Sequence, residues 1–395
     1  MLSLRQLFQQ YVAQTSESPL SLEIERAEGV YLFGPNGKRY IDLISGVSVS
    51  NVGHCHPRVV EAVNIQTSKY MHLMVYGEYI QYPQVRFAQR LTSILPDSLN
   101  NVYFVNSGSE AVEGALKLAK RYTGRSEIIS FNNAYHGSTH GALSVMGNEE
   151  PKRAFRPLLP DIKQIRFNSA QDLEQISNKT ACVIIEPIQG EAGVIIPNDG
   201  YLQQLRNKCN QHGVLLVFDE IQTGFGRTGK MFAFEQYGAI PDILLLAKAM
   251  GGGMPLGAFI SSKDIMSCLT YDPPLGHITT FGGHPVSCAA AIAALDVLID
   301  EKLVDQVNEK AEIFINKLSN HPKVKSIRGI GLFIAVEIGS FEKILELIQV
   351  ALNKGVVLDW FLFCDTAFRI APPLSITIQE CHEATDLLLK SLDDI

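Results

Sequence analysis

Two polar groups stand at the ends of apolar runs. In VLLVFDEIQTG the acid pair Asp219-Glu220 follows a β-branched and aromatic stretch, and in DILLLAKAMGGG Lys248 follows another and precedes three glycines. Open α/β sheets present their ligands at the carboxyl ends of strands, so both positions suit chemistry. A desolvated lysine sheds its proton more readily and becomes a nucleophilic amine. Consecutive glycines let a bulky group approach the backbone. Plainer readings stand beside these: a cap or surface ion pair for the acids, and a lysine stem lying along apolar surface for Lys248.

Taken together, Asp219 and Lys248 are the pair that pyridoxal phosphate chemistry requires. The amine forms a Schiff base, and the acid keeps the ring nitrogen protonated so that the ring can accept electrons. Such a cofactor also needs an anion site. NSGSE, at a strand-to-helix junction, offers the backbone N–H groups of Gly108 and Ser109 where the helix dipole favours a phosphate. A plain N-cap by Ser107 or Ser109 is the alternative.

Other motifs compete for attention. GFGRTGK contains Gly224, Gly226 and Gly229 in G-x-G-x-x-G spacing, and it is one hydroxyl short of a P-loop because Met231 stands where Ser or Thr should be. A dinucleotide site needs its first glycine directly after the strand, and here DEIQT intervenes. A nucleotide-dependent enzyme built on this loop is therefore the weaker alternative. His54, Cys55 and His56, with His136 and His140, suggest a metal, but adjacent residues converge poorly on one ion and no H-E-x-x-H helix exists. No metal is expected, and Pro57 reads as the first residue of a helix.

These groups need a scaffold to bring them together. Short apolar runs (NVYFV, EIISF, ACVII, VLLVF, DILLL, GAFIS) alternate with helical patterns, and their near-continuous apolar character suits strands covered on both faces. The Asn36-Gly37 step predicts a hairpin. After NSGSE, Val112, Ala115, Leu116 and Ala119 recur on one helical face, and Gly124 is placed to stop that helix. Helical patterns over 285–299, 302–319 and 341–353 enclose a strand in LFIAVEI, and Thr377 with Glu380 predicts a last capping box. The expected fold class is α/β, a mostly parallel sheet sandwiched by helices. A large domain is expected over 45–290, and a smaller α+β domain from 1–44 plus 291–395.

Composition narrows the partners. The chain of 395 residues is 46% hydrophobic and 19% charged with a net charge of −7, so no basic footprint suggests nucleic acid. No apolar stretch has transmembrane length, and the opening residues lack a basic region followed by a long apolar run. The seven cysteines are scattered and form no C-x-x-C, which favours free thiols in a cytoplasmic protein.

The motifs GHCHPRVVEAV, NSGSEAVEGALKLAKRYTG, AYHGST, VIIEPIQGEAGV, VFDEIQTGFGRTGK, DILLLAKAMGGGMPLGAF, TTFGGHPVSCAAA and FRIAPPL occur in that order. In these the chain resembles the class III aminotransferases, pyridoxal phosphate enzymes of fold type I, in their ornithine and acetylornithine branch. The resemblance implies transamination from an ω-amino donor to 2-oxoglutarate by a ping-pong route. Lys248 would form the aldimine and shuttle the proton, Asp219 would face the pyridinium nitrogen, and Gln222 would lie near the phenolic oxygen. Ser107, Gly108 and Ser109 would hold the phosphate, Tyr135 would stack on the ring with His136 close by, and Glu186 would steady the site. Thr280 would reach the phosphate of a partner subunit, which implies a homodimer. Arg369 would take a substrate carboxylate, and Glu191 would neutralise it when the donor presents its distal amine. A structural ion pair for Arg369 and a loop charge for Glu191 are the plainer readings.

Some positions depart from that branch. Ser138 stands where an arginine usually follows HG, His284 replaces the asparagine of GGNP, and Val47 aligns with an aromatic that marks ornithine enzymes. MVYGEYIQYPQ puts Glu78 in a segment expected to face substrate. An aminomutase or racemase of the same fold would use the same lysine and aspartate without a second substrate.

Overall fold

The computed structural model describes residues 2–75 and 77–395. It opens on the helix Leu4–Tyr11, capped by Ser3 and Gln6. Three short strands follow: β1 (Arg26–Glu28), β2 (Tyr31–Phe33) and β3 (Arg39–Asp42). β2 and β3 pair antiparallel, Phe33 opposite Arg39, across the turn Pro35–Gly37, where the hairpin was predicted.

The central sheet has seven strands: β4 (Asn101–Val105), β5 (Glu127–Phe131), β6 (Ile162–Ile165), β7 (Thr180–Ile185), β8 (Leu215–Asp219), β9 (Ile243–Leu246) and β10 (Gly257–Ser261). Their order is β4-β10-β9-β8-β7-β5-β6. From β9 to β6 every pair is parallel, while β10 runs antiparallel to both its neighbours. NVYFV was expected to be buried; it is instead an edge strand, and its first residues are only partly covered because β10 alone pairs with it. The opposite edge, β6, was not expected at all, since Lys163 and Gln164 interrupt its apolar pattern.

Each central strand feeds two cores. Ile184, Val217 and Leu245 face one side, and Ile185, Phe218 and Leu246 the other. The first core is closed by the helix Gly108–Thr123, which buries Val112, Ala115, Leu116 and Ala119 against it. Fully burying a valine or leucine stabilises by about 1.5–3 kcal/mol. Ser107 caps this helix and Gly124 ends it in the left-handed region at φ 68°. The second core takes Leu202 and Leu205 of the helix Tyr201–His212 and much of the helix Pro285–Asp300.

The C-terminal part adds β11 (Ser326–Ile330), β12 (Phe333–Glu337), β13 (Val356–Val357), β14 (Trp360–Phe361) and β15 (Cys364–Ile370). β13 joins β3 in parallel, so both ends of the chain share a sheet. The others form an antiparallel sheet in the order β11-β12-β15-β14. Helices Val307–Leu318, Phe341–Lys354 and Ile378–Asp393 complete this part. The pattern over 302–319 yields a shorter helix than expected, preceded by a 3-10 turn at Val304–Gln306. The Thr377–Glu380 capping box is present. All seven cysteines are unbridged, and among the described residues no helix is long and apolar enough to cross a membrane.

Candidate active site

The carboxyl ends of five strands converge on one cavity of about 400 Å³. β4 delivers Ser107, Gly108 and Ser109, β5 delivers Tyr135 and His136, β7 Glu186, β8 Asp219 and Gln222, and β9 Lys248. A parallel sheet makes this unavoidable, because its strands all finish on the same side. Of the predicted cofactor-side residues only Thr280 lies elsewhere; it is exposed and not part of this chain's cavity wall.

The acid pair splits. Asp219 is 4% exposed and lines the cavity; its Oδ2 is 2.7 Å from His136 Nδ1, and its Oδ1 accepts the Ile221 N–H at 3.1 Å. Glu220 is wholly buried and accepts from the N–H groups of Ala233 and Phe234, each at 2.7 Å, and from the Thr223 hydroxyl at 2.8 Å. Burial nevertheless pushes its carboxyl up to about 7. Asp219 alone is available to a ligand, and Glu220 is structural.

Glu186 ties the neighbouring loops. It accepts the Tyr135 N–H and the Gly190 N–H, both at 2.9 Å, and burial raises its carboxyl to about 7. Gly137, at φ 119°, brings the next loop against the helix N-terminus, where a Cβ would meet Ser109 Oγ at 2.1 Å. The Ser107 hydroxyl caps the helix by accepting the Glu110 N–H at 3.2 Å. First-turn N–H groups have no partner within a helix, so Gly108 and Ser109 keep donors for an anion.

Lys248 opens the 3-10 turn Lys248–Gly251 with φ at 49°, a left-handed conformation rare outside glycine. Strain of this kind gathers at functional sites. Burial lowers its proton affinity, Glu191 opposes that, and Arg369 reinforces it. Both of those groups therefore lie within electrostatic reach of the amine.

Arg369 sits in β15, 1% exposed, with its guanidinium carbon 4.5 Å above the Phe361 ring. Its Nη2 donates to both oxygens of Glu191, at 3.1 and 3.0 Å. The Leu362 N–H donates to Glu191 as well, at 3.1 Å. Burial would weaken the base, but Asp359 and Glu191 outweigh it and raise Arg369 above its ordinary value.

Two residues here escaped the sequence reading. Asp359, between β13 and β14, puts Oδ1 3.3 Å from Arg369 Nε. Arg227, in the glycine loop, is fully buried and donates to the carbonyls of Leu332 and Pro372 and to Ser45 and Asn51. The loop from Ile221 to Gly229 is a series of turns followed only by the 3-10 turn Ala233–Gln236 and no α-helix, so neither nucleotide motif has its required context.

The departing positions are also placed. Ser138 is exposed, its hydroxyl 3.4 Å from that of Tyr135. His284 caps the helix Pro285–Asp300 and stacks on His72 at 5.7 Å. Val47, at φ 60°, and the exposed Glu78 are not in the cavity wall, and Tyr76 of the same segment as Glu78 lies outside the described residues. His54 pairs with Asp42 at 2.8 Å and His56 with Glu301 at 3.1 Å, so neither faces a shared ion.

Residues 11–392 match the family model described as aminotransferase class-III. The chain belongs to the class III aminotransferases. It is 39% identical to the acetylornithine aminotransferase of Methanocaldococcus jannaschii, over 95% of this chain and 94% of that one. With the ornithine aminotransferase 1 of Staphylococcus aureus it shares 38% identity, over 94% and 95% of the two chains. The ornithine aminotransferase of Toxoplasma gondii superposes with a TM-score of 0.92 at 32% identity, covering 98% of this chain and 93% of that one; that structure showed partial occupancy of pyridoxal phosphate at its active site. The mostly parallel sheet and its helices are those of fold type I.

Pyridoxal phosphate is the cofactor of this family, and the cavity fits it. His136 Nε2 and Gln222 Nε2 are buried in the wall without partners. Leaving such a group unpaired costs about 1–3 kcal/mol, so the wall calls for a polar ligand. A ring nitrogen at Asp219, an oxygen at Gln222, a phosphate at Gly108 and Ser109 and an aldehyde at Lys248 would meet the donor and acceptor types present.

Proposed function

We propose that this aminotransferase moves an amino group from an ω-amino donor of the acetylornithine or ornithine kind to 2-oxoglutarate. The observation that carries the reading is the convergence of Lys248 and Asp219 on one cavity, with the buried Arg369–Glu191 pair within electrostatic reach of Lys248.

Bound pyridoxal phosphate supplies the electron sink that lets the donor carbon lose a proton. Lys248 Nζ, held toward its neutral form by burial, would attach the cofactor and would hold and return the proton of the donor carbon. Asp219 would keep the cofactor's ring nitrogen protonated, and His136 holds that carboxylate in place. Tyr135 would flank the ring, Gln222 would donate to its phenolic oxygen, and Glu186 fixes the Tyr135 loop. Ser107 stabilises the helix whose N–H groups at Gly108 and Ser109 take the phosphate.

At the far end, Arg369 receives the oxo acid's carboxylate, and Glu191 masks Arg369 while the donor is bound. Thr280 contributes to the partner's phosphate site in a homodimer. The exposed Tyr271, Leu275, Ile278 and Phe281 beside it support such a face. The same reading keeps 45–290 as the large domain, 1–44 with 291–395 as the small one, and the cytoplasm as the location.

The purified holoenzyme should show a visible absorbance band that changes on adding an ω-amino donor and returns with 2-oxoglutarate. Lys248→Ala should lose the native band and slow turnover by at least ~10³-fold. Conversion of the donor to an isomer without any oxo acid would show a mutase or racemase instead.

A further inference from the structure

We propose that Asp359 is a positioning residue for the acceptor half-reaction, selecting which edge of Arg369 receives the oxo acid. This rests on the reading of Arg369 as the carboxylate site.

A guanidinium offers five N–H donors along two edges: a side edge formed by Nε and Nη2, and an end edge formed by Nη1 and Nη2. The side edge faces the protein's own acids, one hydrogen-bonded and one at ion-pair distance. Glu191 places both oxygens on Nη2, at 3.1 and 3.0 Å, and Asp359 Oδ1 lies 3.3 Å from Nε. Neither Nε nor Nη1 makes a hydrogen bond; Nε differs in facing Asp359 in an ion pair, while Nη1, on the end edge, is buried.

The two acids are not held alike. Glu191 is anchored through the Leu362 N–H to its carboxylate and the Phe363 N–H to its carbonyl. Asp359 is tied to Arg369 itself, because the Arg369 N–H donates to the Asp359 carbonyl at 3.0 Å. Side chain and backbone of Asp359 thus move with the arginine. When Glu191 turns away, Nη1 and Nη2 form an open fork for a bidentate carboxylate, and Asp359 stays in its ion pair beside Nε. A buried guanidinium left with no counter-charge is strongly unfavourable, and Asp359 prevents that state during the exchange. It also stops the guanidinium from rotating in its slot above Phe361.

The test uses holoenzyme and glutarate, a five-carbon dicarboxylate that resembles the acceptor but has no oxo group to react. Binding is measured by calorimetry, and the two half-reactions by single-turnover absorbance. Asp359→Ala should weaken glutarate and raise the acceptor KM by about tenfold, with the donor half-reaction within about twofold of wild type. Asp359→Asn, of the same shape, should recover part of the loss and serves if the alanine variant folds poorly.

Unchanged or tighter glutarate binding would overturn the proposal, since removal of a nearby negative charge would then act only through Coulomb attraction. Equal slowing of both half-reactions would overturn it too, by showing a general structural role. Arg369→Ala separates the layers. If it leaves glutarate binding intact, the carboxylate site itself is misassigned. If it abolishes binding while Asp359→Ala does not weaken it, only the role of Asp359 falls.

Discussion

The two ends of the active site are built on different plans. At the ring end, Asp219 and Glu186 finish parallel strands, and their oxygens meet fixed partners: His136 and the Ile221 N–H for one, the Tyr135 and Gly190 N–H groups for the other. At the end proposed for a substrate carboxylate, Arg369 lies within an antiparallel strand, two acids face one of its edges, and neither Nε nor Nη1 makes a hydrogen bond. The first end is organised around one arrangement; under the proposed function the second would exchange partners. That division suits a reaction whose chemistry repeats in both half-reactions while its substrates alternate.

Asp219→Asn attacks the fixed end and should cost the most. Turnover is expected to fall by ~10²–10⁴-fold, and in both half-reactions alike. A loss confined to one of them, measured by single-turnover absorbance, would break the comparison. Arg369→Ala attacks the exchangeable end. Charge-assisted hydrogen bonds contribute about 1.5–3 kcal/mol, so kcat/KM for 2-oxoglutarate should drop by roughly 10–100-fold while the donor half-reaction is preserved.

Glu220→Gln sharpens the picture from outside the cavity. Its new NH2 would face a backbone N–H, at a cost of about 1–3 kcal/mol in stability, while turnover stays within about twofold of wild type. The pH dependence of this group has a definite sign. The folded Glu220 carboxyl titrates near 7 against an ordinary 4.5, so the folded protein binds this proton more tightly than the unfolded chain. Its contribution to stability is complete below 4.5 and is lost as pH rises through about 7. The gap in melting temperature between wild type and Glu220→Gln should therefore narrow across that window.

Much of the fixed end was legible because apolar strands announce where they stop. Asp219 and Lys248 each follow such a run, and a parallel sheet brings those ends together without further information. The apolar run alone does not separate Asp219 from Glu220, since adjacent residues at a strand end turn to opposite sides; the sequence reading took Asp219, and the tertiary fold supplies the three donors that engage Glu220. The exchangeable end was half visible. Arg369 and Glu191 came from the family resemblance, but Asp359 gave no signal of its own, because the β14–β15 hairpin creates its contact with Arg369. β6 was hidden by Lys163 and Gln164, tolerable only at a sheet edge.

Arg227 gives the glycine loop a purpose that neither nucleotide motif suggested. It stands a short way along the chain from Asp219 and grips the carbonyl of Pro372, a short way beyond Arg369. It also binds Ser45 and Asn51, so four segments meet at one guanidinium. The spacing between the ring end and the carboxylate end is thereby set as by a caliper locked with a single screw. Under the proposed function, that one guanidinium would set the length of substrate that the two ends accept.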